Sequence, residues 1–94
     1  MEAGNHTTFM LDFVREFACG TMSVFDFELD YDGFVIEHFP GMEKENASFS
    51  KRFAAVIDSK VEFARTQHLS DEEFRSLILV GFNSLLSSRS TALS

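Results

Sequence analysis

Apolar residues recur at helical spacing along three separate stretches, and this periodicity constrains the fold more than any other feature of the chain. Phe9, Phe13 and Phe17 stand four residues apart, with Met10, Val14 and Ala18 beside them. Asp12, Arg15 and Glu16 project to the opposite side. Such a stripe marks an amphipathic helix with one face for a core. It predicts a helix from about Thr7 to Cys19, closed by Gly20 in a left-handed C-cap. A second stripe of Phe49, Phe53, Val56, Ile57, Val61 and Ala64 predicts a helix over about 47–67, with basic residues on its other face. A third is formed by Phe74, Leu77, Ile78, Gly81 and Leu85. It follows a clear start signal: Ser70-Asp71-Glu72-Glu73 is a capping box, and Leu69 can staple against Phe74. Gly81 on that apolar face permits close packing of a neighbouring helix.

The segment from Val24 to Phe39 reads two ways. Phe25-Asp26-Phe27-Glu28-Leu29-Asp30-Tyr31-Asp32 alternates as a strand does, and Asp32-Gly33 makes a hairpin turn into Phe34-Val35-Ile36. As a helix, the same residues put Asp26, Asp30, Gly33 and Glu37 on one stripe and Phe27, Tyr31, Phe34, Val35 and His38 on another. Ser23-Val24-Phe25-Asp26 supplies a capping box, and Met22 can staple to Phe27. Gly33 would cost about 1 kcal/mol inside that helix and is a point for it to kink or end. Pro40-Gly41 is expected to end whatever precedes it, with a short polar loop through Asn46. Ser87 to Ser94 reads as a frayed tail. The expectation is a single domain over 1–94, an all-α compact bundle of about four helices. The alternative is an α+β fold with one β-hairpin around residues 25–39.

Composition fits a core rather than a disordered acidic tail. The chain has 12 Phe, one Tyr and no Trp. Phenylalanine buries a large area and needs no hydrogen-bond partner. The net charge of −7 is unevenly placed. Up to Glu45 there are ten acids against two bases; from Asn46 onward there are five acids against six bases. A field of this sign repels nucleic acid and anionic membrane and attracts basic partners. Cys19 is the only cysteine, which rules out an intramolecular disulfide and fits a reducing compartment. The start Met1 to His6 carries no secretory signal pattern. No apolar run approaches the roughly 20 residues of a membrane span. A cytoplasmic protein is expected.

Catalytic chemistry finds little footing. A nucleophile needs an activating base, and Cys19 has only Glu16 nearby and no histidine at a fixed spacing. It reads as an inert, buried or half-buried residue. His6, His38 and His68 include no pair at the i, i+4 spacing of a helical metal site. Asp30-Tyr31-Asp32-Gly33 starts like a calcium loop, but the full loop is not met, because no bidentate Glu follows at the required spacing. Asp26, Asp30 and Glu37 form a solvated stripe rather than a general acid/base pair, which needs a pocket that raises one pKa. There is no phosphate loop, and Lys51-Arg52 is too little for a nucleic-acid site. No catalytic residue, metal or cofactor is therefore expected. The candidate partner-binding residues are Asp26, Glu28, Asp30, Asp32 and Glu37, an acidic surface for a basic protein.

The run Phe13-Val14-Arg15-Glu16-Phe17-Ala18-Cys19-Gly20-Thr21-Met22-Ser23-Val24-Phe25-Asp26-Phe27-Glu28 resembles the first helix, turn and second-helix start of the bacterial colicin-D-type immunity proteins. Leu69-Ser70-Asp71-Glu72-Glu73-Phe74 is similar to the start of their last helix. The resemblance implies a small helical bundle that binds a nuclease toxin from the same locus and blocks its active site. Contact-dependent growth inhibition systems use similar immunity proteins. It also implies an acidic surface that mimics the RNA phosphates the toxin expects. A hairpin at Asp32-Gly33 would depart from that all-helical pattern. The expected function is thus an immunity protein that neutralises a basic nuclease toxin. The alternative is an acidic adaptor or regulatory interaction domain unrelated to toxins.

Overall fold

The computed structural model describes the backbone of residues 4–91 and the side chains of residues 4–87. Helix α1 spans Asn5–Ala18 and α2 spans Val24–Glu45. Helix α3, Ala47–Phe53, passes through a π turn at Ala54–Asp58 into α4, Ser59–Gln67. Helix α5 is Asp71–Thr91. Because α3, the π turn and α4 run on as one rod, the chain is an all-α bundle of four rods, without a strand among the described residues. Of the tail expected at 87–94, residues 92–94 lie outside the described residues.

Most boundaries follow local chemistry. Gly20 has φ 93° and closes α1, with its N–H donating to the Phe17 carbonyl and that of Thr21 to the Glu16 carbonyl. That pair of bonds satisfies carbonyls the helix end would otherwise orphan. The Ser23 hydroxyl accepts from the Asp26 N–H at 3.1 Å and opens α2. At α5 the box is reciprocal: the Glu73 N–H donates to Ser70 Oγ, and the Ser70 N–H donates to Glu73 Oε1.

Helix α2 corrects the expectation for residues 25–46 twice. The hairpin alternative is not formed. The Ser23 cap closes a helical turn, and Phe27 and Tyr31 then point together into the core against α1. Nor does Pro40-Gly41 end the helix, which continues for 22 residues to Glu45. An internal proline removes one backbone bond and crowds the carbonyl four residues back. Here that carbonyl belongs to Ile36, and both Ile36 and Pro40 are exposed, so water can take the lost donor's place. Tertiary contacts hold the last turn: Met42 is fully buried, and Gly41 lies against the His6 ring, where an added Cβ would collide. The expected loop shrinks to Asn46, which is extended (φ −163°) and caps α3 by accepting from the Phe49 N–H.

The stripe at Phe49, Phe53, Ile57 and Val61 is buried throughout. Residues four apart run about 40° ahead of one α-helical turn, so three such steps would carry the stripe off the core. The wider π turn takes up that drift. A single core results, built from all four rods. Phe27 sits at its centre, stacked on Phe17 at 4.1 Å and on Phe13 at 5.0 Å, with Phe74 of α5 edge-on. Gly81 lies directly against Lys60 and Val56, giving the close helix approach expected of it. Arg75 of α5 closes the far end by donating to the Phe17 and Met22 carbonyls while its guanidinium covers the Phe17 ring.

Candidate partner-binding face

The five predicted acids lie on α2, but they divide between two flanks. Asp26, Asp30 and Glu37 are exposed and share one stripe of α2 by helical spacing, on the flank where Asp30 lines a groove with α1. Glu28 and Asp32 lie on the flank beside α4, where both accept from Arg65, at 2.8 Å and 3.2 Å. Burial lowers the proton affinity of that guanidinium, and the bonds to Glu28 and Asp32 more than reverse the effect. These two carboxylates are therefore committed to the bundle itself.

Across the first flank runs a groove between α1 and α2, lined by Phe9, Phe13 and Phe34 and by the carboxylate residues Asp12, Glu16 and Asp30. Asp12 is paired with Arg15 at 2.7 Å. Among the described residues, Glu16, Asp26 and Asp30 have no basic side chain at ion-pair distance. Asp12 and Glu16 are the members of this face that sequence reasoning missed. They fall on the polar side of α1, and only the packing of α1 on α2 shows that this side adjoins Asp30.

The remaining polar groups serve the fold. Sequence spacing offered no histidine pair, yet α1 and α2 bring His6 and His38 together with Nδ1 atoms 2.9 Å apart. Phe9 stacks on His38, whose Nε2 lies 3.9 Å from Glu37. No group of three or more candidate metal ligands occurs among the described residues. Glu45 reaches from the end of α2 to the start of α1, accepting from the N–H groups of His6 and Thr7 and from the Thr7 hydroxyl. The Thr7 hydroxyl, with the two backbone donors, holds its carboxyl below the ordinary carboxylate range. Tyr31 is buried beside Asp58, to which it donates at 3.0 Å; burial first, then the Asp58 charge, pushes its hydroxyl well above its ordinary range. Cys19 is exposed rather than buried, because it falls at the turn that leaves α1.

No helix among the described residues is long and apolar enough to cross a membrane. Comparison with protein-family models, curated proteins and solved structures finds no match to this chain.

Proposed function

We propose that the chain is an immunity protein, one that binds a basic nuclease toxin and covers its active site with the α1-facing flank of α2. The observation that carries this reading is the set of exposed carboxylates at Glu16, Asp26 and Asp30, which have no basic side chain at ion-pair distance among the described residues, together with the exposed Glu37, which has only His38 nearby, at 3.9 Å. A protein gains nothing in its own stability from such a cluster, but a cleft built for phosphates pairs with it. The all-α bundle agrees with the fold that the resemblance to colicin-D-type immunity proteins implies. The protein acts by binding, without catalysis and without direct contact to nucleic acid.

Co-expression tests the reading. A basic nuclease encoded beside this chain should be lethal alone and tolerated with it. The triple variant Asp26→Lys, Asp30→Lys, Glu37→Lys should fold, by circular dichroism, yet fail to protect. Protection by the triple variant would refute the acidic flank as the contact. Loss of protection on reversing Lys51 and Arg52 instead would move it to α3.

A further inference from the structure

Helix α2 carries two apolar stripes, and only one of them is used by the bundle. Phe27 and Tyr31 face inward and are buried. Phe25, Leu29 and Ile36 face outward, with exposures of 71%, 68% and 77%. At 100° per residue these three fall within about 40° of one another, on the side of α2 opposite Phe27. They form a ridge of about 16 Å, three helical turns long. Single exposed apolar residues are ordinary, but an aligned ridge of large ones marks a contact surface. The ridge is bracketed by acids on both sides: Asp26, Asp30 and Glu37 on one, Glu28 and Asp32 on the other, with Arg65 the base that answers the second pair. Gly33, which stands beside the ridge, meets nothing within 4 Å when given a Cβ, so no internal packing demands a glycine there. It costs the helix about 1 kcal/mol and leaves room for another backbone to approach.

We infer that the outer face of α2 docks an amphipathic helix of the partner, whose apolar stripe lies along Phe25, Leu29 and Ile36 and whose lysines or arginines on one side meet Asp26, Asp30 and Glu37, the flank that Arg65 leaves unanswered. A helix is the occupant that matches a straight ridge of this length, by side-chain interdigitation along both axes. A second copy of this chain is disfavoured as occupant, since it would bring the same acidic outer face of α2 against itself, with Asp26, Asp30 and Glu37 lacking bases to meet. The inference rests on the proposed binding of a basic protein and adds to it an apolar spine, so that the contact is more than phosphate mimicry.

Three synthetic peptides of about 18 residues separate the possibilities, one turn longer at each end than the ridge. The first has leucines at three- and four-residue spacing flanked by lysine and arginine. The second keeps the bases but replaces the leucines with glutamine. The third keeps the leucines but replaces the bases with glutamate. Fluorescence anisotropy with the full chain should show binding of the first, weaker binding of the second by roughly 10–100-fold, and none of the third. The variant Phe25→Gln, Leu29→Gln, Ile36→Gln keeps helix-forming residues at surface positions and should lose the first peptide to a similar degree. If the second peptide binds as well as the first, or the variant binds the first unchanged, the ridge plays no part, while the acidic reading stands. If the third binds as well as the first, the acidic reading falls instead. No binding of the first peptide overturns the docking of a basic helix. So does a dimer in sedimentation equilibrium that the variant abolishes, because the second copy is then the occupant.

Discussion

His68 is the one non-glycine residue with a left-handed backbone among the described residues, at φ 53°. It ends α4: its own N–H donates to the Arg65 carbonyl and that of Leu69 to the Ala64 carbonyl. The geometry is that of Gly20 at the end of α1, with an imidazole in the glycine position. A side chain crowds the following carbonyl in this conformation, and glycine does not. The exposed ring makes no hydrogen bond or ion pair among the described residues to offset that strain. His68→Gly should therefore raise unfolding stability by about 0.5–1 kcal/mol, the relief of strain less the added freedom of the unfolded chain. Urea unfolding at neutral pH measures it, and a less stable variant would mean the ring has a structural use. From sequence His68 reads as a charge suited to the helix end. Its backbone role was not legible, because left-handed terminators are normally glycine or asparagine.

At the scale of the element, the least autonomous helix is α1. Its N-cap is Gly4, which offers no side-chain acceptor, and its first turn holds no acid. Glu45 supplies both from the far end of α2, and a carboxylate at a helix N-terminus also suits the dipole. The sign of the resulting pH dependence follows from its depressed proton affinity. The contribution to stability is complete above the ordinary glutamate pKa of about 4.3 and is lost as pH falls through the lower folded value. Glu45→Gln should thus be less stable than the parent at pH 7, with the gap closed at a pH below the folded value. A gap that persists at that pH would assign the loss to packing rather than charge. The elements whose signals are local were legible in the sequence: the stripes, the Ser23 and Ser70 caps and Gly20. The last turn of α2 was not, since Met42 and Glu45 hold it through contacts with distant residues. The strand-like alternation of Phe25 to Asp32 has a physical origin too. A helix with one buried apolar stripe and one exposed stripe reads as period two over eight residues, with Phe27 and Tyr31 inside and Phe25 and Leu29 outside.

At the scale of the whole molecule, charge and function pull against each other. The sequence located the acidic half of the chain, and the fold then sorted its members. Glu28 and Asp32 went to Arg65, and Asp12 and Glu16 joined Asp30 across the groove. No spacing rule could make that division, because it depends on how α1 and α4 pack on α2. Asp30 is the acid most surrounded by its own kind: Asp26 lies one turn before it, and Asp12 and Glu16 line the same groove. Like charges at such spacing destabilise a helix, and a concentrated field opposes compaction. On the proposed binding of a basic protein, a residue kept there at a cost to the free protein would gain its opposite charge in the complex. Asp30→Asn should accordingly raise the melting temperature by a few degrees at low ionic strength. The parent should close that gap as salt is added toward about 1 M, where the screening length falls to about 3 Å. The same substitution should slow association with the basic helical peptide, since exposed carboxylates act mainly through steering. A variant less stable than the parent at low salt would show that Asp30 serves the fold. A gain that salt does not erase would mean that repulsion is not what the wild-type residue contributes.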